Sequence, residues 1–131
     1  MTRGERREVI PISVETVPEA TLYFNARCSK CRTAERILAD AGIDATVVRY
    51  LDTSPSVADL RHLMSVLGVD DPRAMVRTGE SVYAELGLAA VGPEQLLEAV
   101  SAHPILLERP IFVRNGRAVI AQPPERVHEL L

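Results

Sequence analysis

Apolar positions along the chain repeat with two periods, and the points where the period changes mark its elements. Residues 20–24 (Ala-Thr-Leu-Tyr-Phe) form a short β-prone run ending at Asn25, a turn former. From Ser29 or Lys30 the spacing lengthens: Ala34, Ile37, Leu38 and Ala41 recur at i, i+3, i+4 and i+7, and Gly42 follows as a stop. This predicts an amphipathic helix of about three turns. Residues 45–51 are β-branched and apolar and predict a second strand. The intervening helix is long enough to cross over, so the two strands are expected to run parallel.

The middle of the chain reads as helical. Ser56 is a fair N-cap for a helix bearing Val57, Leu60, Leu63, Met64 and Leu67 that stops at Gly68. Shorter apolar pieces follow at 72–76 and 81–86. Pro93 then opens a helix running through Val100, with proline in the first turn and acids near the positive end of the dipole. Residues 110–114 and 117–121 flank Asn115-Gly116, the strongest two-residue hairpin signal. A last helix over 124–131 would place Val127, Leu130 and Leu131 on one side. The order β-α-β, helical block, β-hairpin, helix is that of an α/β fold of thioredoxin-like, glutaredoxin type: a mixed four-stranded sheet with a helical insertion. Residues 1–18 are polar and charged, mildly apolar over 9–12, and read as an N-terminal extension, disordered or forming a short edge strand. With no internal repeat or low-complexity linker, residues 19–131 are expected to form a single domain.

Composition narrows the class. At 131 residues, 47% hydrophobic and 25% charged, the chain can bury a core without a disulfide or metal staple. No apolar run approaches the roughly 20 residues of a membrane span, and no long apolar segment follows the charged N-terminus, so neither a span nor a secretory signal is expected. The net charge of −3 argues against nucleic acid or a membrane surface as a partner. A cytoplasmic monomer is the expectation.

The two cysteines, Cys28 and Cys31, lie three apart. A structural zinc site wants four ligands, and His62, His103 and His128 are scattered, so no bound metal is expected. Cys28 falls where the first strand hands over to the first helix, where free N–H groups and the helix dipole favour a thiolate. Arg27, Lys30 and Arg32 add positive charge nearby, and one helical turn brings Cys31 close enough to resolve a Cys28 adduct. A redox pair is the leading reading; two inert core cysteines remain the alternative at this point.

Asn25-Ala26-Arg27-Cys28-Ser29-Lys30-Cys31-Arg32 resembles the Asn-x-x-Cys-x-x-[Ser/Cys]-Arg signature of the glutaredoxin-linked arsenate reductase (ArsC) family. The likeness continues at Tyr50-Leu51-Asp52-Thr53, at residues 73–77, at residues 83–88 and at residues 103–111, and it spans about residues 20 to 131. It implies a Cys28 nucleophile that attacks arsenate, an adduct resolved by Cys31 or an external thiol, and glutathione with glutaredoxin, or thioredoxin, as reductant. It further implies an oxyanion held by Arg77 and Arg109, with Asn25 and Arg32 on the substrate side. Arginine's planar, always-charged fork suits a tetrahedral oxyanion. Read without the resemblance, either arginine is better explained as an ordinary surface residue or as one paired with a nearby Glu such as Glu80 or Glu108. Arg109-Pro110 aligns with the cis-proline that faces the active cysteine in thioredoxin-like proteins, which predicts a cis bond there.

The chain differs from the family pattern at three places. Gln122, before Pro123, stands where a third oxyanion arginine is expected; Phe24 stands where many members have histidine; and Cys31 stands where better-known members have serine. The dithiol shifts the expected mechanism toward an internal disulfide. It is also similar to the CxxC switch of the Spx regulators, which bind RNA polymerase and do not turn over a substrate.

Overall fold

The computed structural model describes residues 20–131; the extension expected over 1–18, including the strand considered at 9–12, lies outside them. Strand β1 (Ala20–Phe24) leads through a short turn into helix α1 (Ser29–Asp40), which returns to β2 (Thr46–Arg49). Helix α2 (Val57–Leu67), a 3-10 turn (Pro72–Met75), the short α3 (Ser81–Glu85), a second 3-10 turn (Leu88–Ala90) and α4 (Pro93–Ala102) form the insertion. A third 3-10 turn (Pro104–Leu106), the hairpin β3 (Ile111–Arg114) and β4 (Arg117–Ile120), and a terminal 3-10 segment (Pro124–Leu130) complete the order.

The four strands form one mixed sheet in the order β2-β1-β3-β4. Leu22 pairs with Val47 in the parallel β1–β2 ladder and with Phe112 in the antiparallel β1–β3 ladder, placing β1 near the centre. The period of two in β1 buries Ala20, Leu22 and Phe24 on one face. There they meet the stripe Cys31, Ala34 and Leu38 of α1, together with Phe112, Val119 and Val127. The other face carries the larger core: Tyr50, Leu60, Leu63, Met75, Leu96, Val100, Leu106 and Ile111 under α2 and α4.

Local chemistry fixes the boundaries. Ser56 accepts from the Asp59 N–H at 3.0 Å while Asp59 accepts from the Ser56 N–H at 2.9 Å, a reciprocal capping box, and Gly68 ends α2 in the left-handed region at φ 73°. Asn115 and Gly116 take φ 51° and 79°, as the predicted two-residue hairpin turn requires. β2 stops earlier than its apolar run suggests, because the N–H groups of Asp52 and Thr53 both turn back onto the Arg49 carbonyl at 3.0 Å. The last helix expected over 124–131 is present as a 3-10 segment over Pro124–Leu130. Prolines at its start remove donors, and seven residues are too few for helix cooperativity to dominate. The Arg109–Pro110 bond is cis as expected; Gln122–Pro123 is cis too, which the sequence reading did not anticipate.

Candidate active site

The site grows out of the C-terminal ends of β1 and β2 and the segment leading into β3. The Cys28 N–H donates to the Asn25 carbonyl at 2.9 Å, closing the turn that delivers Cys28 to the N-cap of α1. Asn25 Oδ1 accepts from the Arg27 N–H at 2.9 Å, an Asx turn that Asn provides better than most residues. Its own N–H points to Cys31 Sγ at 3.5 Å. Arg32 Nη1 donates to the Ala26 carbonyl at 2.6 Å, from the first turn of α1 back to the loop. Asn25 and Arg32, both expected on the substrate side, thus brace the loop that presents Cys28.

The two sulfurs are unlike. Both are free; Cys28 is partly exposed and Cys31 is fully buried. Partial burial pushes the Cys28 thiol up, but the Cys31 N–H, the Cys31 thiol, the Arg109 guanidinium and the Lys30 N–H outweigh it, so its pKa lies below the ordinary thiol value. Cys31 goes the other way: burial first, then the neighbouring Cys28 charge, push it up to about 12 despite the Asn25 N–H and Arg109. A thiol made more acidic beside one held protonated is the arrangement of a nucleophile and its resolving partner.

Arg109 arrives from a distant part of the chain. Carried two residues past Tyr23↔Ile111, the β1–β3 register puts it beside Asn25. Its Nη1 is buried without a hydrogen-bond partner. Gln122 Nε2 donates to the Arg109 carbonyl at 2.6 Å and to Glu108 Oε1 at 3.1 Å, so the residue at the third arginine position clamps this segment. Arg77 belongs to the same wall: its N–H bonds the Leu106 carbonyl at 2.7 Å and the Glu108 N–H bonds the Met75 carbonyl at 2.9 Å. Its guanidinium, however, is paired with Glu80 at 3.0 Å and Glu108 at 3.8 Å. The structure therefore gathers Cys28, Cys31, Asn25 and Arg109 tightly and leaves Arg77 engaged with two carboxylates.

Tyr50 is also brought to this site, within electrostatic reach of Arg109, Cys31 and Cys28; in the sequence the one signal of that is its place near the C-terminal end of the second β run. Beside this site a cleft is lined by Phe24, Asn25, Ala26, Arg27, Arg49, Leu51 and Asp52, with the Arg49 guanidinium 5.5 Å from the centre of the Phe24 ring. Among the described residues no cluster of three or more His, Cys, Asp or Glu side chains could hold a metal ion, and no helix is long and apolar enough to cross a membrane.

The model of the ArsC family matches residues 23–130. A protein of Neisseria meningitidis serogroup A, named arsenate reductase, is 41% identical over 117 residues, 88% of this chain and 100% of that one. A Haemophilus influenzae protein of the same name is 38% identical, covering 84% of this chain and 97% of the other. Among solved structures, the arsenate reductase from Vibrio cholerae superposes with a TM-score of 0.83 at 43% identity, over 86% of this chain and 97% of that one.

Proposed function

This chain belongs to the ArsC family, and from that premise we propose that it is a thiol-dependent arsenate reductase with Cys28 as its nucleophile. The observation that carries the reading is the lowered pKa of a partly exposed Cys28 at the N-cap of α1, beside an arginine whose Nη1 has no partner. The Cys28 thiolate attacks arsenic in an arsenate whose oxygens face the α1 N–H groups and Arg109; a protonated oxygen leaves as water and a Cys28–S–As(V) bond forms. Cys31, or an external thiol, then attacks the Cys28 sulfur. The S–As bond breaks with its electron pair remaining on arsenic, so arsenic is reduced by two electrons while two thiols become one disulfide.

Glutathione with glutaredoxin, or thioredoxin, returns the disulfide to thiols, which places the enzyme in a reducing, cytoplasmic setting. Asn25 and Arg32 hold the loop; Arg77 contributes charge from the rim and meets substrate only by exchanging Glu80 or Glu108. Residues 19–131 act as one catalytic unit, and no bound cofactor is required. The names of the relatives support this enzyme over a Spx-like regulator. The test is arsenate-dependent oxidation of NADPH coupled through the glutaredoxin and thioredoxin systems in parallel. Turnover by wild type and none by Cys28→Ser supports the reading; undiminished turnover in the variant overturns it.

A further inference from the structure

Two buried polar atoms of this site have no hydrogen-bond partner: the Tyr50 hydroxyl and Arg109 Nη1. Leaving a buried donor unmet costs free energy, more for a charged group, so two of them flanking one residue call for an acceptor. The topology makes them neighbours. Carried one residue past Phe24↔Arg49, the β1–β2 register sets Tyr50 beside Asn25, and Arg109 flanks the same Asn25 on its other side. Tyr50 is fully buried, its ring fixed in the core by the turn that ends β2, so its hydroxyl cannot swing out to water. That hydroxyl lies within electrostatic reach of Arg109, Cys31 and Cys28. The Asn25 amide comes near it without closing a hydrogen bond.

We propose that the Tyr50 hydroxyl is an oxyanion-binding group, which together with Arg109 Nη1 donates to oxygens of the tetrahedral anion attacked by, or attached to, Cys28. The proposal rests on the reductase reading and adds to it a neutral, interior donor at a place where charge is already supplied. Burial, against the lowering effect of Arg109, pushes the Tyr50 phenol up to about 12, so the hydroxyl keeps its proton and remains a donor at neutral pH even beside two sulfurs. A donor of this kind adds no charge of its own and so fits an anion that must be released after reduction.

The experiment uses the full chain carrying Cys31→Ser, so that Cys28 is the sole thiol and no internal disulfide can form. Inorganic arsenate is titrated against the rate of Cys28 alkylation, with and without Tyr50→Phe, and both proteins are melted without arsenate. The expected result is that Tyr50→Phe raises the half-protecting arsenate concentration about ten- to hundredfold, the loss of one hydrogen bond to a charged group. It should leave the Cys28 thiolate titration unmoved and the apo melting point equal or higher, because phenylalanine removes an unmet hydroxyl. Equal protection of the two proteins overturns the role of Tyr50 and leaves the reductase reading intact. A melting point clearly below that of the parent also overturns it, since the hydroxyl would then have a partner in the empty fold. Absence of protection in the parent overturns the reductase reading and this inference with it.

Discussion

Gln122 holds Arg109 by its backbone, the side-chain amide donating to the Arg109 carbonyl at 2.6 Å. The same nitrogen also reaches Glu108, so one glutamine fixes two consecutive residues of the wall facing Cys28. Gln122→Ala removes both donors and leaves a part-buried carbonyl unmet. It should destabilise the protein by about 1–2 kcal/mol and lower kcat/KM for arsenate several-fold through looser placement of Arg109. Gln122→Arg keeps donors within reach of both acceptors and adds a cation, so kcat/KM for arsenate should rise. The coupled NADPH assay and a thermal melt measure both; a fall in kcat/KM for the arginine variant would show that geometry, not charge, limits this position.

The two arginines should separate cleanly. Arg109→Ala removes a guanidinium that acts directly on Cys28, so kcat/KM should fall about 100- to 1,000-fold and the thiolate titration should move upward. Arg77→Ala breaks pairs with Glu80 and Glu108 that are part-exposed and individually weak. It should cost less than about 1 kcal/mol of stability, reduce kcat/KM less than Arg109→Ala does, and leave the Cys28 titration in place. Thiolate absorbance against pH for the two variants decides the matter; equal shifts in both would place Arg77 at the sulfur as well.

Labelling should distinguish the thiols. At neutral pH iodoacetamide should modify Cys28 alone, because Cys31 is fully buried and its thiol is pushed up to about 12. After Cys28→Ser the chain should resist labelling in the native state and take up one equivalent when denatured. Cys31→Ser should keep a single reactive thiol and retain only the turnover that an external thiol can resolve. Mass spectrometry of the labelled chain gives the site, and prompt labelling of native Cys28→Ser would contradict the burial of Cys31.

Most of the fold could be read from local patterns. The Ser56 cap and Gly68 stop give α2 its boundaries, and Asn115-Gly116 gives the hairpin, because each is a short-range preference that tertiary packing does not oppose. The end of β2 could not, since residues 50 and 51 remain apolar while the backbone turns at Asp52 to carry Tyr50 inward. Cys28 and Cys31 were legible for the same local reason: a strand-to-helix junction has known electrostatics. Which arginine reaches the sulfur was not, because Arg77 and Arg109 look alike in the chain and only the sheet register and the carboxylates of Glu80 and Glu108 tell them apart. The bond from Gln122 to the Arg109 carbonyl spans two segments that no periodicity links.

The thiols and Tyr50 make opposed contributions to the pH dependence, and the signs can be worked out group by group. The Cys28 pKa is lowered on folding, so its thiolate stabilises the native state above the unfolded value of about 8.5 and that contribution fades as pH falls through the folded value. Activity should follow the same ionisation, rising with pH toward a plateau with its midpoint below the free-thiol value of about 8.5, since attack needs the thiolate. Cys31 is raised to about 12, so native stability declines as pH climbs from about 8.5 toward that value. Tyr50 is likewise raised to about 12, adding a second decline that begins near 10. Urea unfolding across the alkaline range should therefore show stability dropping more steeply above pH 10 than below it. Cys31→Ser should remove the decline between about 8.5 and 10 and make it shallower above 10, whereas Tyr50→Phe should change only the part above about 10. Wild-type stability that held constant from neutral pH to 11 would mean that neither buried group resists ionisation as its surroundings require.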